Sequence, residues 1–361
     1  DRRCMVDIYI DYDKEHYSPG DTVSAKISVH VLRSAKKICS IRISVIGWAH
    51  VKWEETQSNG KTNTTKRYSS THTYISRSDY LLHPPIHDKT TYLPVGLHTY
   101  VYQFVLPEAC DSSYRRGYGK IKYECKVEIV RSFFRCNIRT MKRFEVYRPV
   151  DLLALWRIPS PVTQTLETRF LPFQKGSITL KGIIHDACYL PGQTIYLEAC
   201  VYNRSPRTIN SIEIKLNEAT TYIAFYSGRA YQKICKNRLV NFSQGLHVAS
   251  GSDYSYSRQI TIPQFTPQHT TCPYIKIVYY LKIRISTSTV LGTSVAVKMP
   301  IVIGTIPTTH VNPRRIPNIL LNRPVARRES EESDTTFYSF SDESNDAPDY
   351  SKYTDRSHLL H

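Results

Sequence analysis

The chain has 361 residues and a mass of 41.7 kDa, a length that corresponds to about two domains. A mean hydropathy of −0.37, with 41% hydrophobic and 22% charged residues, excludes an integral membrane protein and a wholly disordered chain. The net charge is +17, yet the residues from Val325 onward carry −5, which leaves +22 on residues 1–324. This asymmetry predicts acidic partners: phosphorylated peptides, anionic lipid headgroups or nucleic acid.

Up to residue 305 the chain has the pattern of short β-strands. Val6–Ile10, Val23–Val31 and Ile41–Val45 alternate apolar and polar residues, which is typical of half-buried strands. A polar run at Glu54–Thr73 predicts an exposed hairpin or loop. The alternation returns in later segments: Tyr100–Leu106, Ile121–Ile129, Ile195–Val201, Ile212–Leu216 and Ile275–Ile285. Many antiparallel strands joined by Gly, Pro, Asn and Ser turns favour β-sandwiches.

One stretch of the sequence occurs twice. Tyr17-Ser18-Pro19-Gly20-Asp21-Thr22-Val23 returns as Tyr189-Leu190-Pro191-Gly192-Gln193-Thr194-Ile195. Pro-Gly suits the centre of a type II turn, because Pro fixes φ and Gly accepts a positive φ. Later echoes follow in the same order: Phe104–Pro107 with Ile260–Pro263, and Tyr123–Val127 with Tyr279–Ile283. We therefore predict two copies of one sandwich.

Prolines and charge set the expected boundaries. An N-terminal sandwich over residues 1–148 is followed by a linker over residues 149–172, where prolines cluster. A C-terminal sandwich occupies residues 173–306. Residues 307–361 form a flexible tail that contains prolines first and is then rich in Ser, Asp and Glu, a composition that predicts disorder.

The repeated turn is one of several motifs that occur together in a known family. They are Tyr17-x-Pro19-Gly20-Asp21-x-Val23, Leu93-Pro94-x-Gly96-x-His98-x-Tyr100, Ser112-Ser113-Tyr114, Tyr189-x-Pro191-Gly192 and Pro300-Ile301-Val302-Ile303-Gly304-Thr305. Over about residues 4–305 the chain resembles the alpha-arrestins, the arrestin domain-containing proteins. The resemblance implies an all-β fold of two tandem arrestin-like, immunoglobulin-type β-sandwiches with a disordered acidic C-terminal tail.

The resemblance also implies a function. Proteins similar to this one are non-enzymatic adaptors that link membrane receptors or transporters to ubiquitination and to endocytic or endosomal sorting. We expect a cytoplasmic protein that is recruited to the plasma membrane or endosomes, with peripheral membrane contact at most. In the family, tail motifs of the form Pro-Pro-x-Tyr bind WW domains of HECT-type ubiquitin ligases through a short polyproline II segment.

The tail of this chain departs from that motif. The nearest match is Ala347-Pro348-Asp349-Tyr350, which keeps Pro348 and Tyr350 as candidate WW-domain contacts. Pro84-Pro85-Ile86-His87 has both prolines but lacks the tyrosine and lies inside a domain. Two functions therefore stay open: an adaptor that recruits a ubiquitin ligase, and an arrestin-fold sorting scaffold without ligase recruitment.

The tail carries two further candidate signals. Asp355, Leu359 and Leu360 resemble an acidic di-leucine sorting signal of the kind that clathrin adaptors bind, although so short a pattern also arises by chance. Acidic residues follow three serines that resemble acidophilic-kinase sites: Ser330, Ser333 and Ser341. Phosphorylation there would add negative charge facing the basic body.

Candidate anion contacts lie in the body. Lys120 and Lys122 are two residues apart in a predicted strand, so they project to the same face and could hold an anion together. Other basic groups are Lys36, Lys37, Arg131, Arg135, Arg139, Lys142 and Arg143. The alternative interpretation is a solvated strand face.

The sequence predicts no catalytic residues, no cofactor and no metal site. Hydrolase, phosphate-loop and zinc-protease motifs are absent, and the nine cysteines lack paired spacing, which favours buried reduced thiols. His269 and Cys272 lack a further metal ligand nearby, and Cys272 lies in an alternating strand pattern. Nucleic acid is not expected as a partner, because strand packing accounts for the 27 tyrosines and no nucleic-acid motif is present.

Overall fold

The computed structural model describes residues 6–58, 63–85, 88–131, 135–150, 161–169, 176–265, 267, 269–287 and 294–305. Within these ranges the chain is all-β, as the alternation predicted, and no helix occurs. His87 and most of the expected linker lie outside the described residues. So do the tail candidates: Ser330, Ser333, Ser341, Pro348, Tyr350, Asp355, Leu359 and Leu360.

By internal contacts the chain divides into two compact units. The first unit comprises Asp1–Pro149, Ala219–Lys236 and Gln268–Ile277. The second unit comprises Val150–Glu218, Asn237–Pro267 and Val278–His361. The sequence repeat did not indicate that the two inner segments group with the first unit.

Strands β1 to β11 belong to the first unit. They are β1 (Val6–Tyr12), β2 (His16–Tyr17), β3 (Thr22–Val31), β4 (Lys36–Ile38), β5 (Ser40–Ser58), β6 (Asn63–Leu82), β7 (Thr91–Leu93), β8 (Gly96–Val105), β9 (Tyr114–Arg116), β10 (Gly119–Val130) and β11 (Ile138–Val146). One sheet has the order β1-β3-β8, and a second runs β6-β5-β10-β11-β2 with β9 paired to β10. β5 and β6 form the hairpin predicted for Glu54–Thr73, although Tyr68 and Ser70 in it are buried.

The alternation of β3, β5 and β10 supplies the core of the first unit. Val23, Ile27, Ile43, Tyr123 and Val127 are fully buried in one hydrophobic cluster, while the residues between them face away from it. Burial of one face of each sheet is the arrangement of a β-sandwich.

The remaining strands include three that contribute residues to both units: β16, β17 and β19. The set is β12 (Val162–Arg169), β13 (Ser177–Ile184), β14 (Cys188–Tyr189), β15 (Thr194–Asn203), β16 (Ile209–Tyr226), β17 (Arg229–Val248), β18 (Asp253–Thr261), β19 (Ile275–Thr287) and β20 (Ser294–Ile303). One sheet of the second unit has the order β12-β13-β15-β18, and the other includes β14-β20-β19. A Cβ at Gly182 would lie 3.0 Å from Ile283 and 3.1 Å from Met299, so β13 packs closely on β19 and β20.

The repeated turn has the same geometry in both copies. Gly20 and Gly192 each have a φ of +84°, the left-handed value that the second central position of a type II turn requires. The amide of Asp21 donates to the carbonyl of Ser18 over 3.0 Å. The amide of Gln193 donates to the carbonyl of Leu190 over 3.1 Å. The sequence repeat is therefore also a structural repeat.

Replacing Gly192 by alanine tests this turn. The positive φ costs a non-glycine residue roughly 1–2 kcal/mol. The new Cβ would also lie 2.2 Å from the Gln264 side chain, which must move. Gly245→Ala is the matched control, because Gly245 lies in β17 with open space around its Cβ position. The melting temperature of Gly192→Ala should be clearly lower than that of the wild type. An equal change of the melting temperature in both variants would contradict the turn geometry.

Candidate functional site

A tight hairpin brings basic side chains together in the first unit. β9 and β10 are joined by Gly117 and Tyr118, and Gly117 has a φ of +50°, as the first position of a type II′ turn requires. The hairpin places Arg115 opposite Lys120. β5 then pairs with β10 and places His50 opposite Lys120 on the other side.

The hairpin rests on the ring of Tyr222. A Cβ at Gly117 or Gly119 would lie 2.8 Å or 2.7 Å from the Tyr222 side chain, so only glycine allows this approach. The Tyr222 hydroxyl donates to the carbonyl of Arg116 over 2.9 Å and lies 2.7 Å from the Tyr114 hydroxyl. Burial raises the pKa of Tyr222, so its hydroxyl stays a donor at any physiological pH. Tyr222 thus holds the hairpin in place.

We call Lys52, Arg115, Lys120 and Lys122 the basic face, because the strand pairing places them on one side of the sheet. Together with His50 and the turn residues, all of its members except Lys122 line an open cleft of about 440 Å³, a volume within the range of small-ligand sites. The Lys120 ammonium lies 5.0 Å from the centre of the Trp48 ring, a cation–π contact that keeps it on this face.

The electrostatics of the cleft favour an anion. Burial lowers the pKa of Lys122, and the positive charges of Arg143 and of the basic face lower it further. Burial also lowers the pKa of His50, with a contribution from the nearby Lys120. Neighbouring positive charges are the second cause of both shifts, and a bound anion would offset this part because a negative charge stabilises the protonated forms.

Few carboxylates neutralise this face. Lys52 pairs with Glu54 at 3.2 Å, and Glu54 is shared with Arg67. Among the described residues no carboxylate forms an ion pair with Arg115, Lys120 or Lys122. The predicted geometry of Lys120 and Lys122 on one face of a strand is therefore present, while their role in binding anions stays a prediction.

Most of the basic residues between Arg131 and Arg143 form ion pairs within the first unit. Arg139 and Arg42 both bind the buried carboxylate of Glu128. Lys142 pairs with Asp11 at 2.9 Å. These contacts occupy the cations, so this run is a weaker candidate for an anion site than the basic face.

The cysteines and histidines form no further candidate site in the part of the chain that the structure describes. No group of three or more His, Cys, Asp or Glu side chains there could hold a metal ion. Cys272 is buried, as the sequence predicted, and burial raises the pKa of its thiol. The prediction of buried thiols holds for three of the eight described cysteines, Cys110, Cys125 and Cys272, whereas four are partly buried and Cys136 is exposed.

Sequence reasoning missed half of this cleft. It selected Lys120 and Lys122 from one strand but not Arg115 and Arg116, which a two-residue turn brings beside them. The signal was present: two arginines directly before Gly-Tyr-Gly predict a hairpin that folds them onto the next strand. The position of Lys52 beside the cleft depends on the register between β5 and β10, which the sequence does not reveal.

Comparison with known proteins agrees with this architecture. The model of the N-terminal domain of arrestin (or S-antigen) matches residues 6–153. The model of the C-terminal domain matches residues 174–308. The chain belongs to the alpha-arrestin family. The resemblance noted in the sequence is thereby confirmed.

Several arrestin domain-containing relatives are similar over most of the chain. Arrestin domain-containing protein 17 of Caenorhabditis elegans is 25% identical over 313 residues, which cover 83% of this chain and 70% of the relative. Arrestin domain-containing protein 1 of Homo sapiens is 25% identical over 316 residues, 86% of this chain and 67% of the relative. Arrestin domain-containing protein 4 of Mus musculus is 25% identical over 311 residues, which cover 83% of this chain and 71% of the relative.

Among the described residues, no helix has the length and apolar character to span a membrane.

Proposed function

We propose that the chain is a non-enzymatic adaptor that links membrane receptors or transporters to ubiquitination and to endocytic or endosomal sorting. Membership of the alpha-arrestin family supports the adaptor role. The single observation that supports direct cargo binding is the basic face beside an open cleft. The protein acts in the cytoplasm and reaches the plasma membrane or endosomes through its cargo.

The basic face suits an extended acidic or phosphorylated segment of a cargo protein. Arg115, Lys120 and Lys122 lie on neighbouring strands, and Arg115 is directly opposite Lys120. Charge-assisted hydrogen bonds from Arg and Lys to carboxylate or phosphate are about twice as strong as neutral ones. An extended segment with negative groups on alternate residues would present them to this face and lower the charge repulsion among its cations.

Removing three of these charges should weaken cargo binding. The variant Arg115→Gln/Lys120→Gln/Lys122→Gln loses three contacts of about 0.5–1 kcal/mol each, which is roughly ten- to hundredfold in affinity. We would probe an array of acidic and phosphorylated cytoplasmic segments of receptors and transporters with the wild type and this variant. The wild type should select the acidic segments and the variant should lose them.

The control variant is Lys37→Gln/Lys66→Gln/Lys89→Gln, which removes the same net charge from residues of the first unit that do not line the cleft. It should keep the array pattern of the wild type. Equal losses in both variants would mean that overall charge, and not the basic face, drives binding.

The ligase link of the proposal depends on the tail. Ala347-Pro348-Asp349-Tyr350 keeps one proline and the tyrosine of the family motif. Loss of the first proline removes part of the polyproline II surface that a WW domain contacts. We therefore propose that the tail binds the WW domains of HECT-type ligases only weakly.

Restoring the missing proline should strengthen WW binding. Ala347→Pro returns an apolar ring worth about 1.5 kcal/mol, roughly tenfold in affinity for WW domains of HECT-type ligases. Tyr350→Ala in the same variant should cancel the gain. A pull-down of the full chain against a WW-domain array measures both, with Pro348→Ala/Tyr350→Ala to test the wild-type motif. An unchanged affinity in Ala347→Pro would rule out this segment as the ligase contact.

A sorting scaffold without ligase recruitment is the second candidate function, and the missing proline favours it. In that case the tail would act through Asp355, Leu359 and Leu360 on a clathrin adaptor. Phosphate on the tail would strengthen its attraction to the basic body, at the candidate sites Ser330, Ser333 and Ser341.

A further inference from the structure

Strand β8 ends the β1-β3-β8 sheet with an apolar row that faces solvent. It pairs with β3 from Thr22↔Val105 to Val31↔Gly96, and its other edge has no strand partner in the described part of the chain. Three of its outward side chains, Leu97, Val101 and Val105, are 65%, 64% and 61% exposed. Edge strands of this length with exposed apolar side chains are prone to pair with another strand.

This edge lacks the features that usually block such pairing. β8 contains no proline and no Lys, Arg, Asp or Glu. The other strands that end the three- and four-stranded sheets carry charges: Asp7 and Asp11 in β1, Glu167 in β12, and Asp253 and Arg258 in β18. Natural sheets protect their edges with charges or prolines, so an unprotected edge in this molecule indicates a binding edge.

The open edge offers the backbone of the odd-numbered residues. Leu106 donates its amide to Asp21 over 2.9 Å, which shows that an even-numbered residue directs its amide toward the β3 side. The pairing of β3 with β8 continues from there without a register shift. Because backbone groups alternate along a strand, the amides and carbonyls of the odd-numbered residues point away from β3.

The same odd-numbered residues form a self-complementary series. In an antiparallel pair of two β8 strands centred on Val101, Val101 meets its own copy. Leu97 then lies opposite Val105 of the second copy, and Thr99 lies opposite Gln103. Apolar side chains therefore face apolar ones, and polar side chains face polar ones. We propose that β8 binds β8 of a second copy of this chain, in antiparallel register about Val101, and so joins two β1-β3-β8 sheets into one.

The composition of β8 favours a second copy over an acidic peptide as the occupant, because the strand has no cation with which an acidic peptide could pair. The chain carries +17, yet β8 brings no like charges together across the two-fold axis. An acidic segment would find no cation on this strand, whereas the basic face offers several. Pairing about Val101 would give the dimer two basic faces and hence bivalent attachment to cargo.

A disulfide at the axis tests the register. Opposed residues of a hydrogen-bonded antiparallel pair have Cα atoms about 5.5 Å apart, which suits a disulfide. We would place Val101→Cys in the full chain with Cys136→Ser, which removes an exposed thiol. The matched control is Thr99→Cys, whose copy would lie about 13 Å away along the strand. Mild oxidation should give a linked dimer only for Val101→Cys, with the bridge mapped by mass spectrometry. No bridge, or equal bridging in both variants, would overturn the proposal.

Charge substitutions test the dimer without a covalent bond. Thr99→Lys/Gln103→Lys places like charges opposite each other, whereas Thr99→Lys/Gln103→Glu places opposite charges there. In sedimentation equilibrium of the full chain, the wild type and the second variant should form dimers, and the first should remain a monomer with unchanged thermal melting. A wild type that stays monomeric, including one whose β8 binds another protein's peptide, would overturn the proposal. So would dimers in all three forms.

Discussion

Replacing Asp111 by alanine should lower the free energy of unfolding of the first unit by about 3–5 kcal/mol. Asp111 is fully buried and accepts hydrogen bonds from the hydroxyls of Tyr74 (2.8 Å) and Thr270 (2.8 Å). It also accepts from the amide (2.9 Å) and hydroxyl (3.1 Å) of Thr271, and Arg148 lies 3.7 Å away. Alanine would leave these donors without an acceptor in a buried place, which costs more than the bonds themselves contribute.

Hydrogen exchange would localise this effect. Thr271 belongs to one of the inner segments that group with the first unit, and Asp111 holds its amide. We therefore expect faster exchange at Thr271 in Asp111→Ala, together with a lower urea midpoint. Asp88→Ala is the control, because Asp88 is exposed. A loss below about 1 kcal/mol in Asp111→Ala, the worth of an ordinary exposed contact, would show that the carboxylate does not anchor this segment.

Replacing Glu128 by glutamine should remove a pH-dependent part of the stability. Burial of Glu128 raises its pKa, but hydrogen bonds from Arg42, Arg139 and Asn137 outweigh this and lower the pKa to about 2. A depressed carboxylate pKa stabilises the folded state above the unfolded value of about 4.5, and the contribution is lost as the pH falls toward 2. With partial screening at the exposed guanidinium groups, the contribution at neutral pH is roughly 2–3 kcal/mol.

The difference between the urea midpoints of the wild type and Glu128→Gln reports the contribution of Glu128 alone, because all other carboxylates are the same in both proteins. We expect urea midpoints of wild type and Glu128→Gln to differ at neutral pH and to converge as the pH is lowered from about 4.5 to about 2. Glu145→Gln, at an exposed position of β11, should follow the wild type throughout. A constant offset between Glu128→Gln and the wild type at every pH would mean that packing, and not charge, explains the loss.

The fold was predictable wherever one face of a strand is buried. β3, β5 and β10 alternate because every second residue enters the core, and that pattern is visible in the sequence. β17 escaped notice because most of its residues are exposed on both faces. In β16 the alternation stops at residues 217–220, which are all buried although three are polar, so only its start was predicted.

The cleft was harder to predict than the fold, because its residues meet only through pairing. Lys120 and Lys122 share a strand, so their common face follows from a period of two. Lys52 and His50 lie in β5, about seventy residues before Lys120 and Lys122, and only the β5–β10 register brings the four residues together. Tyr222 lies still further along the chain, and its support of the hairpin depends on the two glycines beneath which it packs.

The most direct test of the account is the affinity of the basic face for an acidic cargo segment. Calorimetry with the tightest array peptide would compare the wild type, Arg115→Gln/Lys120→Gln/Lys122→Gln and the Lys37/Lys66/Lys89 control at about 50 and 500 mM salt. We expect the wild type and the control to bind about tenfold or more tightly than the basic-face variant at low salt. The advantage should shrink at high salt, because screening weakens exposed charge pairs. Equal affinities of all three proteins at low salt would contradict the assignment of cargo binding to this face.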